Sequence, residues 1–174
     1  MKTRLPIRLA ILAAACALSL PVPALAQAEF TTEDLRLRLD ARGSLVSLWD
    51  VAGARERLAA GEPAPLLSIR AAGQTLAPAS MTYARQTGIV ALDFRPSAVR
   101  VRLRATAKPT HLAFEIVSVE PAGSVDAVIW GPYPTTVGAT VGEIVGVVRE
   151  GDFALGLQVL NLKTRGGALL NDEI

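Results

Sequence analysis

Val99-Arg100-Val101-Arg102-Leu103-Arg104-Ala105-Thr106 alternates apolar and polar side chains without a break. Successive side chains of an extended chain point to opposite faces. This period of two therefore puts Val99, Val101, Leu103 and Ala105 on one face and Arg100, Arg102, Arg104 and Thr106 on the other. A helix would scatter the same residues around its circumference. Upstream, Leu35-Arg36-Leu37-Arg38-Leu39-Asp40 repeats the pattern. Asp40-Ala41-Arg42-Gly43 then supplies a turn, and 45–49 reads as the return strand of a hairpin.

Outward from these two segments the same reading continues. Strands are predicted over 66–70, 89–94, 111–120, 125–130, 141–149 and 153–162. Ala72-Gly73-Gln74, Arg95-Pro96-Ser97, Lys108-Pro109-Thr110, Pro121-Ala122-Gly123-Ser124 and Glu150-Gly151-Asp152 punctuate them as turns. Residues 53–65 read as a loop with a helical turn over 55–60. Short strands with a turn signal roughly every eight to twelve residues predict an all-β fold, an antiparallel β-sandwich. The C-terminal Gly166-Gly167 followed by Ala168-Leu169-Leu170-Asn171-Asp172-Glu173-Ile174 supplies no clear closing element. The expectation is an incomplete sandwich, the N-terminal part of a longer protein.

The first 26 residues belong to a different class of segment. Lys2, Arg4 and Arg8 precede an apolar run over 9–20, which Pro21 and Pro23 interrupt before Ala24-Leu25-Ala26. Charged start, apolar middle and small-x-small end are the pattern of a secretory signal peptide. The run falls short of the about 20 apolar residues needed to span a bilayer. The expectation is export, with 27–174 as a β-sandwich domain, periplasmic or extracellular, without a transmembrane segment. Cys16 is the only cysteine, and Ala13 stands where a lipoprotein signal carries a larger aliphatic residue. The domain after residue 26 thus has no thiol for a disulfide or a cysteine-ligated metal. Of the 18 basic residues, Lys2, Arg4 and Arg8 leave with the signal, so 15 stand against 16 acidic ones, a net charge of −1. That balance argues against nucleic acid as a partner.

Few residues point to chemistry. His111 is the only histidine, so neither a multi-histidine metal site nor a histidine pair is available. No G-x-S-x-G sequence accompanies it. No catalytic residue, cofactor or metal is assigned. Arg100, Arg102 and Arg104, with Arg36 and Arg38, would form an anion-holding stripe if their strands were neighbours. The competing reading is a solvated outer face answered by acids such as Asp93, Glu115 and Glu120. Trp130-Gly131-Pro132-Tyr133-Pro134 places two aromatics on one proline-set loop. They are positioned either to stack on a sugar or to plug the edge of the sandwich. Glu115, Asp126, Glu143 and Asp152 are the available carboxylates. Of these Glu143, between small and apolar neighbours, is the third candidate sugar contact beside Trp130 and Tyr133.

Two segments also resemble a known family. The strand, turn and strand of 35–49, with Ser44-Leu45-Val46-Ser47-Leu48-Trp49-Asp50, Gly53 and Pro65-Leu66-Leu67, resemble the opening of the galactose mutarotase-like β-supersandwich. Residues 130–136, 141–149 and 153–158 are similar to N-terminal regions of bacterial exported carbohydrate-active proteins. The resemblance implies a scaffolding or sugar-contacting domain of a glycoside hydrolase-like protein, with catalysis in a C-terminal domain. The alternative is a free-standing periplasmic or surface module that binds another protein. No (β/α)8 pattern and no mutarotase histidine–glutamate pair is recognisable, so the resemblance carries over no catalytic residue.

Overall fold

The computed structural model describes residues 27–61, 64–142 and 146–164. Residues 1–26, in which a signal peptide is expected, Glu143 and residues 165–174 lie outside them. The described residues form only strands and turns, in several antiparallel sheets without a closed barrel, a sandwich-like all-β fold.

The first sheet holds β1 (Ala28–Thr31), β2 (Leu35–Leu39), β3 (Ser44–Asp50) and β4 (Arg55–Glu56) in that order, with β5 (Ala64–Pro65) also pairing β3. A three-stranded sheet joins β6 (Leu67–Ala71), β7 (Gln74–Leu76) and β12 (Ala127–Trp130), with β6 in the middle. The long sheet runs β11 (Leu112–Glu120), β10 (Val99–Ala107), β9 (Ile89–Phe94), β8 (Ser80–Ala84). A final hairpin, β14 (Gly146–Glu150) and β15 (Phe153–Leu157), carries β13 (Thr140–Val141) on its edge.

The alternation over 99–106 becomes β10, in which Val99, Val101 and Leu103 are buried while the arginines between them are exposed. Opposite, β2 turns Leu37 and Leu39 inward. One apolar cluster joins these residues to Phe30, Leu45, Leu48, Leu67, Ile69, Val90, Leu92 and Phe94. Burial of that cluster is the dominant favourable term in folding. Aromatic rings stitch the sheets: Phe30 lies edge-on to Tyr83 at 5.0 Å and to Phe114 at 5.6 Å, and Phe114 lies 6.2 Å from Trp130.

The structure departs from the sequence reading at four places, the first being the single strand expected over 141–149, which is instead β13 and β14 paired antiparallel. The helical turn expected over 55–60 is absent. Arg55 and Glu56 instead extend as β4, hydrogen-bonded along the edge of β3. The strand expected over 153–162 stops at Leu157, where its partner β14 begins and the pairing runs out. The strands β1, β7 and β8, which the sequence did not signal, complete edges of the sheets.

Candidate functional site

The loop after β12 runs against the end of the first sheet. The Tyr133 hydroxyl donates a hydrogen bond to the carbonyl of Leu66, and burial pushes its pKa above the ordinary tyrosine value. The amide of Ala59 donates to the Pro134 carbonyl at 3.0 Å, and that of Thr136 to the Arg57 carbonyl at 2.8 Å. Trp130 is half-buried, opposite Leu67 in the β12–β6 pairing and tilted over Phe114. Trp130 and Tyr133 both pack on the core. Glu143 lies outside the described residues.

Beside this loop is a group of charges that the sequence did not signal. Asp50 ends β3, directly opposite Arg55, and Arg57 follows two residues later on the same side. Arg57 is 1 % exposed and Asp50 3 %. Arg57 Nη2 and Nε donate to Asp50 Oδ2 at 2.7 and 3.1 Å, while Nη1 reaches Glu150 Oε2 on β14 at 2.7 Å. The Phe153 ring lies 4.3 Å from the guanidinium carbon, a favourable face for a desolvated cation. Arg55 Nη2 adds a 3.4 Å contact to Glu150. Two arginines meet two carboxylates, so the cluster is neutral and every guanidinium nitrogen of Arg57 is engaged. Such an arrangement holds the C-terminal hairpin to the sandwich and leaves no group free for acid–base work.

Three carboxylates, those of Asp50, Glu56 and Asp93, are held below their ordinary pKa. Burial works against the charge on Asp50. The Gly53 amide, Arg57 and Arg55 outweigh it and keep the carboxyl below the ordinary aspartate value. Glu56 is also lowered: burial opposes its charge, but hydrogen bonds from Ser47 and the amides of Leu58, Leu48 and Arg57 prevail. Arg100 lowers Asp93 chiefly through its hydrogen bond. Groups with depressed native pKa values bind fewer protons folded than unfolded, so stability rises with pH across their titration. This contribution is complete above the ordinary carboxylate range near pH 4 and is lost as pH falls below it. The urea midpoint should therefore fall between pH 6 and pH 3; a constant midpoint would show that these networks do not stabilise the fold.

The remaining candidates stay apart. β2 and β10 belong to different sheets, so the five arginines do not form one stripe. Arg100 pairs with Asp93 at 2.6 Å and Arg104 with Glu115 at 3.2 Å, which is the solvated-face arrangement. Arg102, opposite Ala91 and Ser118, forms no ion pair among the described residues. His111 is exposed and shares a 3.3 Å contact with Thr110. Glu115 lies on β11, Asp126 just before β12 and Asp152 in the turn between β14 and β15. Among the described residues no group of His, Cys, Asp and Glu is placed to hold a metal, and no helix is long and apolar enough to cross a membrane.

The outer face of the first sheet carries another feature. Arg36, Arg38, Ser47 and Trp49 line a shallow depression of about 200 Å3. Arg36 stands opposite Trp49 and Arg38 opposite Ser47 in the β2–β3 pairing. No protein-family model matches the chain, and neither a curated protein nor a solved structure does.

Proposed function

We propose that this chain is an exported, carbohydrate-associated β-sandwich, the scaffolding or sugar-contacting N-terminal domain of a glycoside hydrolase-like protein, without catalysis of its own. The observation that carries this reading is the Trp49 depression. It sets an indole and two arginines side by side on the solvent face of a sheet, as a surface sugar contact requires. The segment that resembles the supersandwich opening falls on β2, β3, β5 and β6. The scaffolding part draws support from the far end of the domain. There Val141, Leu157 and Leu160 expose apolar side chains, Leu160 to 73 %, a surface suited to cover by another polypeptide. No nucleophile is set against a base in the 130–137 loop or the Arg57 cluster.

The test is a titration of the exported chain, followed by tryptophan fluorescence, with panels of neutral and acidic oligosaccharides. A saturable change with at least one class is expected; an unchanged signal with all of them would overturn the reading. A free-standing module that binds protein is the second reading, and β11 favours it. That strand ends its sheet, and Ile116 and Val117 on it are 39 % and 42 % exposed, an edge open to strand addition. Concentration-dependent association without any sugar response would favour it.

A further inference from the structure

We propose that the depression on the outer face of the first sheet binds an acidic pyranose, Arg36 holding its carboxylate and Trp49 its ring. This rests on the carbohydrate reading above and names the class of sugar. Four residues line the site, and they are not equivalent. Arg38 Nε is committed to Glu29 at 2.6 Å. Ser47 Oγ is committed to Glu56 at 2.6 Å. The Glu56 charge is in turn spent inward on the amides of Leu48, Arg57 and Leu58, at 2.7, 3.0 and 2.8 Å.

Arg36 is the exception. Its Nε is enclosed yet finds no hydrogen-bond acceptor among the described residues. The nearest carboxylate oxygen, on Glu29, stands 3.8 Å away, beyond hydrogen-bond reach. Its side chain is 38 % exposed and lines the depression. Among the described residues it has only this long ion pair to Glu29, and a guanidinium selects a planar anion whose carboxylate matches its fork.

Trp49 supplies the other half. It lies outside the apolar core cluster and is directly opposite Arg36 across the β2–β3 pairing. Cross-strand neighbours are about 5 Å apart at Cβ. With both side chains lining the one depression, the indole can take the apolar face of a sugar ring whose carboxylate reaches the arginine. At about 200 Å3 the depression is below the about 300 Å3 at which enclosed small-molecule pockets begin. It therefore suits one ring of a chain lying across the sheet rather than an engulfed ligand.

The proposal is tested by calorimetric titration of the exported chain with α-1,4-trigalacturonate and with its fully methyl-esterified form. The ester keeps the rings and removes the charge. The acid should bind about tenfold more tightly, the scale of one charge-assisted hydrogen bond. Arg36→Met should bring the acid down to the level of the ester, and Trp49→Ala should weaken both. Equal affinities for acid and ester on the unaltered chain would overturn the proposal, and that comparison needs no variant to fold. So would an Arg36→Met chain with an unchanged β spectrum and undiminished affinity for the acid. No binding of the acid overturns it as well, and neutral oligosaccharides titrated alongside then show separately whether the carbohydrate reading stands.

Discussion

Arg57→Ala is expected to destabilise the domain by about 3–5 kcal/mol, because it leaves a buried carboxylate without its cation. Asp50 is 3 % exposed and receives two of the three guanidinium nitrogens, and Glu150 receives the third. Truncation removes both ion pairs together with the Phe153 contact. Asp50 would keep its bond from Gly53 and only a distant Arg55 at 3.9 Å. Urea unfolding followed by tryptophan fluorescence measures the loss, and a cost under about 1 kcal/mol would mean that the pair behaves as a surface bridge. A paired change separates the charge from the packing. Arg57→Met with Asp50→Asn removes both charges at similar volume, keeps an acceptor for the Gly53 amide and should regain part of the stability, since no buried charge is then left without its partner. Hydrogen exchange adds a local readout. The amides of β14 and β15 should lose protection first in Arg57→Ala, because Glu150 and Phe153 tie that hairpin to the sandwich.

That cluster also shows where sequence reasoning runs out. Arg57 and Glu150 are 93 residues apart, and nothing local marks either one. The stretch Arg55-Glu56-Arg57-Leu58-Ala59-Ala60 is made of good helix formers, so local propensity pointed to a helical turn. The free edge of β3 and the burial of Arg57 override it. β10 was legible for the opposite reason: a sheet covered on one face imposes strict alternation, and that is a local signal. β1, β7 and β8 were not, being short and poor in large apolar residues; within β8 only Met81 is fully buried.

The candidate site was legible only in part. Trp130 ends β12 and Tyr133 lies in the loop that follows it, and both rings have packing partners. Trp49 was hidden by a β-bulge. Unbroken alternation along 45–49 would put Leu45, Ser47 and Trp49 on one face. The register between β2 and β3 shifts between Arg38 and Leu39, which sends Leu45 and Leu48 inward and leaves Ser47 and Trp49 on the solvent side. One extra residue in a strand does this, and periodicity alone does not locate it.

Leu92→Ala should be the costliest single apolar truncation in the long sheet that also carries a diagnostic partner. Leu92 is fully buried on β9, paired to Val101 on one side and Met81 on the other. Leucine-to-alanine changes at such sites cost about 2–5 kcal/mol, the upper part of the range applying where neighbours cannot close the cavity. Here the neighbours are strands hydrogen-bonded on both sides of β9, and they have little room to collapse. The partner is Gly43, in the turn between β2 and β3, whose φ is +78°. A Cβ built on it would come within 2.5 Å of Leu92 Cδ2. Gly43→Ala therefore suffers twice, from backbone strain of about 1–2 kcal/mol and from a clash with the Leu92 methyl. In the Leu92→Ala background the clash disappears and the strain remains. The two substitutions should accordingly cost less together than the sum of their separate costs, with a coupling in the range of about 0.5–3 kcal/mol expected for residues in contact. Strict additivity in urea unfolding of the four proteins would show that the turn of the first sheet does not rest on β9. The packing of the two largest sheets through a single core would then need to be redrawn.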